Sequence, residues 1–271
     1  ITKLMDECKA MGIQTLGPDV NESNLKFTVN HDGNIRFGLG AVKGVGEAAV
    51  QSIMEERKKN GPFLGIFDFV QRVNLNACNK KNMECLALAG GFDSFPELKR
   101  EQYFAANSKG ELFLETLMRY GNRYQADKAA AVNSLFGGEN VIDVATPEIP
   151  QGVERWSDLD RLNRERDLVG IYLSAHPLDE FSIVLEHVCN TRMSELEDKA
   201  ALAGREITMG GIVTSVRRGV SKNGNPYGIA KIEDYSGSTE IPFWGNDWVT
   251  YQGYLNEGTF LYIKARCQAK Q

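Results

Sequence analysis

The strongest chemical signal in the sequence is a glycine turn. It reads Leu39-Gly40-Ala41-Val42-Lys43-Gly44-Val45-Gly46-Glu47-Ala48-Ala49-Val50. The pattern predicts a helix that ends before Gly44, a turn through Gly44-Val45-Gly46, and a second helix starting at once with Glu47 and Ala48. A helix start leaves backbone N–H groups without intrahelical acceptors and carries the positive end of the helix dipole, so it suits a phosphate oxygen. Lys43 would add a charge-assisted contact. Contacts of this kind hold a nucleic-acid backbone without reading bases, and they weaken as salt rises. Val45 is expected to plug between the helices, with Val42, Val50 and Ile53 in the shared core. The bare pattern also fits a tight helix–helix corner whose donors bind water. A nucleotide cradle fits poorly, because GxxxxGK[ST] is missing and the turn joins two helices rather than leaving a strand.

A second set of such residues lies further along. Arg217, Arg218 and Lys222 put positive charge on a hairpin, and Tyr227, Phe243 and Trp244 bring rings near it. Cations beside exposed rings are what a single strand stacks upon. Strand aromatics equally pack cores, and charges at hairpin tips are commonly solvated. Lys80 and Lys81 begin another expected helix and face either phosphate or solvent. Leu135 and Phe136, in Ser134-Leu135-Phe136-Gly137-Gly138, are large apolar side chains in a loose segment. They either dock on the chain's own helices or enter a partner's pocket. The acids of residues 154–167 alternate with bases at helix-neighbour spacings, as in Asp160–Arg164 and Arg161–Glu165, which reads as the solvated face of a supporting helix. His176, before Pro177, reads as a helix-start or packing residue rather than a general base.

Composition narrows the classes. The chain has 31 Lys plus Arg against 36 Asp plus Glu, a formal charge of -5, so any nucleic-acid face must be local. Cys8, Cys78, Cys85, Cys189 and Cys267 are scattered, odd in number and without metal spacing, as expected of reduced thiols in a cytoplasmic protein. No window approaches about twenty apolar residues, so no membrane partner is expected. The first residues read as a helix already under way and the last as a strand cut off, so both ends are expected to be those of an excised piece.

The elements that must position these groups follow from period and punctuation. A helix is predicted over 2–11, then short strands at 25–29 and 35–37 joined by His31-Asp32-Gly33-Asn34. Helical period runs over 39–56, interrupted by the glycine turn, with the second helix reaching 59. Shorter helices are predicted over 66–73 and 80–89, and a long one over 99–120. Residues 121–153 read as a linker with Gly137-Gly138, Pro147 and Pro150. Charged helix returns over 156–168, and another runs from 174 to about 187. Strands follow at 207–216, 227–233, 239–244 and 259–265, with turns at Asn223-Gly224-Asn225-Pro226 and Asp234-Tyr235-Ser236-Gly237. Their order resembles an OB-fold barrel. No fifth strand is evident before Gln271.

The run GLGAVKGVGEAA resembles the helix-hairpin-helix segment of the alpha subunit of bacterial replicative DNA polymerase III, a C-family polymerase. The likeness runs back through GPDVNES. It continues forward through GPFLGIFDFVQRV, NKKNMECLALAGGFDS, RWSDLDRLNRERDLVGIYLSAHPLDEF and the strands, so it covers essentially the whole chain. The fold class expected is multidomain α + β, a helical domain with tandem helix-hairpin-helix character followed by a small, incomplete OB-fold β-barrel. The resemblance implies the end of the fingers with a connecting ribbon at 1–34, a helix-hairpin-helix and clamp-binding domain at 35–138, linker and supporting helices at 139–204, and the OB domain at 205–271.

The resemblance also implies roles. Lys43, Gly44, Val45, Gly46, Glu47 and Ala48 would hold the backbone of duplex leaving the active site, with Lys80 and Lys81 as a second contact. Leu135 and Phe136 match the last two positions of the family's internal clamp-binding peptide, whose glutamine position holds Val132 here. Arg217, Arg218, Lys222 and Tyr227 would meet single-stranded template. Template-directed synthesis in the family needs acidic residues that position a divalent metal, Mg, and these would precede this segment. The chain is therefore expected to be non-catalytic, with no cofactor or metal of its own. Its expected partners are duplex and primer–template DNA, single-stranded template, the sliding clamp and other replicase subunits. Two other classes fit the residues: an independent structure-specific DNA-binding protein, or a protein-interaction scaffold without nucleic-acid contact.

Overall fold

Helix α1 (Thr2–Ala10) is followed by Gly12, which adopts a left-handed conformation (φ 74°). Strands β1 (Thr15–Leu16), β2 (Thr28–Val29) and β3 (Ile35–Arg36) then form a small sheet in the order β1-β3-β2. The β2–β3 hairpin is the expected ribbon; β1, parallel to β3, is too short to leave a periodic signal. The computed structural model describes residues 2–133, 144–198 and 201–268. They divide into two compact units, Ile1–Ala175 and His176–Gln271.

Before the glycine turn the structure departs from expectation. Instead of an α-helix there is a single 3-10 turn, Leu39–Ala41. Here the backbone hugs residues 24–26: the Leu39 N–H donates to the Asn24 carbonyl (2.8 Å) and the Gly40 N–H to that of Leu25 (3.1 Å). A Cβ at Gly40 would lie 2.8 Å from the Leu25 carbonyl oxygen, a backbone atom, so this approach requires glycine.

Helices α2 (Glu47–Asn60), α3 (Ile66–Arg72) and α4 (Lys80–Ala89) follow the predicted pattern. Asn79 caps α4 by accepting from the Asn82 N–H, and left-handed Gly90 ends it. The long helix predicted over 99–120 is broken into α5 (Arg100–Tyr103) and α6 (Phe113–Asn133). Between them Asn107 Oδ1 accepts from the Lys109 and Glu111 amides. The turn chemistry of Asn107-Ser108-Lys109-Gly110 thus overrides the apolar period. Helix α6 also occupies residues expected to belong to a linker. Helix α7 (Asp158–Val169) is capped by Ser157 and by left-handed Gly170.

An aromatic core fills the first unit, with Phe63, Phe69, Phe92, Phe95 and Tyr103 buried together. Beside it sits an ionic cluster. Glu165, 1% exposed, accepts from the Arg100 guanidinium, the Leu173 and Ser174 amides and the Ser174 hydroxyl. Arg100 also donates to Asp93 and to the Leu88 carbonyl. A buried charge is tolerable on these terms, paired and hydrogen-bonded. Of the residues expected to form a connecting region, 158–175 pack in the first unit and 176–198 in the second.

The second unit begins with a 3-10 turn (Asp179–Phe181) and α8 (Ser182–His187). Strands β4 (Glu206–Val220), β5 (Pro226–Asp234) and β6 (Gly237–Trp244), helix α9 (Asn246–Tyr251) and strand β7 (Phe260–Arg266) complete it. The sheet is antiparallel in the order β6-β5-β4-β7. Strand β4 serves two partners, β7 along its first half and β5 along its second, with a bulge between Val213 and Ser215. Strands β6 and β7 stay unpaired to each other, giving a curled sheet that is not fully closed, an incomplete OB-like barrel. Its inner face packs Ile207, Met209, Val213, Ala230 and Ile232 against Trp248 of α9 and Leu255.

Candidate nucleic-acid interface

The glycine turn exposes Lys43, Gly44, Gly46, Glu47 and Ala48 and buries Val45 between them. Val45 packs in the same core as Val42, Val50 and Ile53, as a plug between elements would. Gly44 is left-handed (φ 87°), and a Cβ there would lie 2.6 Å from Cys85 Sγ. Gly46 is different. It has ordinary extended backbone (φ -79°, ψ 150°), and a Cβ would come no nearer than 3.9 Å to Asn82 Oδ1. Only Gly44 is demanded by backbone and space.

The amides of the turn divide into used and open. Lys43 N–H donates to the Leu168 carbonyl near the end of α7 (2.9 Å), Val45 N–H to the Val42 carbonyl (3.1 Å), and Gly46 N–H to Asn82 Oδ1 (2.8 Å). Among the described residues, the amides of Gly44, Glu47 and Ala48 have no acceptor. Because the N-cap is glycine, α2 has no side-chain cap to occupy its first amides. The expected phosphate-facing donors are thus reduced to three. Asn82, Cys85 and Leu168, which hold the turn from behind, were not anticipated. The signal that could have found Asn82 is a polar residue on the otherwise apolar face of α4.

Adjacent lysines at the start of α4 are used differently. Lys80 binds Glu115 (2.6 Å) and Glu84 (3.7 Å), and the Glu115 bond raises its ammonium above the ordinary lysine value. Lys81 is exposed, and its Cε lies 3.7 Å from where a Gly44 Cβ would be. Lys81 therefore stands beside the glycine turn, while Lys80 is bound on the α6 side. Below them, burial raises the Cys85 thiol and pushes Cys78 up to about 12, so both stay neutral packing groups.

On the second unit, strand register sorts the expected residues by face. Gly219, Tyr227 and Trp244 are cross-strand partners. The Tyr227 ring lies over Gly219, 2.8 Å from where a Cβ would sit, and 4.9 Å from the Trp244 ring. Trp244 is 55% exposed. Arg217 shares this outer face and binds Glu240 (2.7 Å). Arg218 falls on the inner side, opposite Gly228, with its guanidinium 5.9 Å from the Trp248 ring. Phe243 also faces inward, edge-on to Tyr251. Lys222 lies exposed in the turn before β5. Tyr227 and Trp244 are brought together on the outer face, which Arg217 shares with its guanidinium turned to Glu240, while Arg218 faces inward and Lys222 lies in the turn.

Leu135 and Phe136 lie outside the described residues. Among the described residues no group of three or more His, Cys, Asp or Glu is placed to hold a metal ion, and no helix is long and apolar enough to cross a membrane. The His176 ring lies 4.6 Å from the Tyr235 ring at a tilt and accepts from the Leu178 N–H through Nδ1, a packing role.

A short turn carrying a buried valine plug between glycines, followed at once by a helix with open first amides, has the form of the turn and second helix of a helix-hairpin-helix, with the 3-10 turn Leu39–Ala41 where the first helix would stand. Residues 12–103 match the helix-hairpin-helix motif family. Over nearly its whole length the chain is homologous to the DNA polymerase III subunit alpha of bacteria. It is 32% identical over 266 residues to that of Pasteurella multocida, covering 98% of this chain and 22% of the relative. With that of Mycobacterium tuberculosis H37Rv the identity is 32% over 268 residues (96% and 22%), and with that of Vibrio cholerae 31% over 271 residues (98% and 22%). The chain spans about a fifth of the length of these curated relatives.

Proposed function

We propose that this chain is a non-catalytic, DNA-holding portion of a replicative DNA polymerase, gripping duplex at the glycine hairpin and receiving single strand on the open face of its curled sheet. The observation that carries the reading is the hairpin itself, where the open amides of Gly44, Glu47 and Ala48 stand beside exposed Lys43 and Lys81. Backbone donors and cations so placed fit phosphate oxygens and have no means of reading bases. Homology to polymerase alpha subunits supports DNA as the ligand. In the whole protein, template-directed nucleotide addition would depend on a divalent metal, Mg, held by acids outside this segment.

Tyr227 and Trp244, whose rings lie 4.9 Å apart at a tilt on the face that also carries Arg217, support the single-strand part of the reading, since rings on a face that carries a cation suit unpaired bases. Leu135 and Phe136 are proposed to anchor the sliding clamp, on the strength of their sequence match. Their double replacement by alanine should weaken clamp binding in calorimetry; equal affinity removes that role.

The test of the main reading is binding to duplex, single-stranded and primer–template DNA across salt. Duplex affinity should fall steeply with salt and be indifferent to sequence. Lys43→Ala should weaken it uniformly and reduce the salt slope by about 1. Unchanged salt-dependent binding in that variant contradicts the assignment. Primer extension by this chain alone contradicts the non-catalytic part.

A further inference from the structure

Helix α2 begins at a residue that cannot cap it. Gly46 has no side-chain oxygen, so the amides of Glu47 and Ala48 remain open. The Gly46 peptide is nevertheless fixed, because its N–H donates to Asn82 Oδ1 at 2.8 Å. Asn82 comes from the first turn of α4 and is only 6% exposed. Its own backbone N–H donates to Asn79 Oδ1 (3.2 Å), and its Nδ2 donates to the Ala77 carbonyl (3.4 Å). The carboxamide is therefore held at both ends, with its oxygen aimed at the hairpin.

We propose that Asn82 is the positioning residue of the DNA grip, fixing the Gly46 peptide so that the Glu47 and Ala48 amides point outward together. The proposal rests on the duplex reading of the hairpin. A side chain on residue 46 could brace the turn only by taking one of the amides that the ligand needs. An oxygen supplied from a different helix braces it and leaves them open. Asn82 accepts the amide of the residue immediately before the helix and none within it. The same contact keeps Lys81, its chain neighbour, beside Gly44. Asn82 thus acts through the backbone and through Lys81, without touching the DNA.

The experiment compares the wild-type chain with Asn82→Ala, Asn82→Asp and a core variant, Val70→Ala, whose buried side chain lies on α3. Three quantities are read: thermal melting, hydrogen exchange at the Gly46 amide, and affinity for a short duplex at about 50 mM and about 200 mM salt. In Asn82→Ala the Gly46 amide should lose protection and duplex affinity should fall by about tenfold, the loss of one well-placed hydrogen bond. Val70→Ala should lower melting and leave affinity near wild type. Asn82→Asp keeps an acceptor for Gly46, so protection should persist. At the higher salt, where its added charge is screened, it should bind closer to wild type than Asn82→Ala does.

Affinity in Asn82→Ala no weaker than in Val70→Ala overturns the positioning role while duplex binding stands. So does an Asn82→Asp variant with protected Gly46 that binds no better than Asn82→Ala at the higher salt. Should Asn82→Ala fail to fold, Asn82→Asp is read against the wild type: with Gly46 protected, affinity at the higher salt about tenfold or more below wild type overturns the positioning role, and a smaller loss upholds it. Absence of salt-dependent duplex binding in the wild type removes the duplex reading, and the positioning role with it.

Discussion

The hairpin and the open sheet face offer positive charge to a phosphodiester chain in two different ways. At the hairpin the donors are backbone amides left open by a glycine cap, and exposed Lys43 and Lys81 hold no ion pair among the described residues. On the sheet the donor is Arg217, already held by Glu240 at 2.7 Å. The hairpin can meet a phosphate without giving anything up, whereas the sheet must exchange an internal partner for an external one. The interiors differ in a parallel manner. Glu165 in the first unit is answered by Arg100 as well as by neutral donors. Asp234 in the second is answered by the Met193, Ser236 and Gly237 amides and the Ser236 hydroxyl. Among the described residues, Lys43 and Lys81 of the hairpin are thus free of ion pairs, whereas Arg217 on the outer face of the sheet is already paired.

The largest effect expected from this contrast is on stability. Glu165→Ala leaves the Arg100 guanidinium buried without one of its two acids, and should cost roughly 3 kcal/mol in denaturant unfolding. Glu240→Ala, at a half-exposed surface pair, should cost less than about 1 kcal/mol. Similar losses for the two would dissolve the distinction between the units. Next in size is Gly44→Ala. It forces a side chain into a left-handed backbone against the Cys85 sulphur, and should lower stability by about 1–3 kcal/mol.

Gly46→Ser sharpens the comparison because stability and binding should move in opposite directions. Serine fits the extended backbone there and can cap α2, so the unfolding free energy should hold or rise by about a few tenths of a kcal/mol. Its hydroxyl would then accept an amide of the first turn, and duplex affinity should fall. A variant that binds as well as wild type would separate the open amides from the grip.

Smaller effects distinguish neighbouring residues. Lys81→Ala should weaken duplex binding and reduce the salt slope by about 1, while Lys80→Ala, already bound by Glu115, should change little. Equal effects would mean that the Lys80–Glu115 bridge opens in the complex. Smallest of all, Glu240→Gln frees Arg217 and should raise single-strand affinity about two- to threefold by removing a competing charge. A loss of affinity there would mean that the pair binds as a unit.

How far the sequence reveals these features depends on the range of the interaction. The turn at Gly44-Val45-Gly46, the extent of α4 and the four long strands were legible because glycine punctuation and side-chain period are local. The 3-10 turn before Gly44 was not, since it depends on the close approach of Leu25. Nor was the break between α5 and α6, where Asn107 competes with an apolar period that continues across it. The identical glycines of the turn have different reasons: Gly44 is required by φ and space, Gly46 by neither, and only backbone geometry tells them apart. Asn82 lies 36 residues from Gly46, beyond any local pattern. Arg217 and Arg218 were equivalent in sequence. A bulge between Val213 and Ser215 shifts the alternation, and a bulge cannot be placed by counting.

The most direct test of the duplex grip is an amide-resolved NMR titration of the chain with a short duplex at low salt. The largest shifts should fall on the Gly44, Glu47 and Ala48 amides, and they should reverse as salt is added. Duplex binding that leaves those three amides unmoved would contradict the grip.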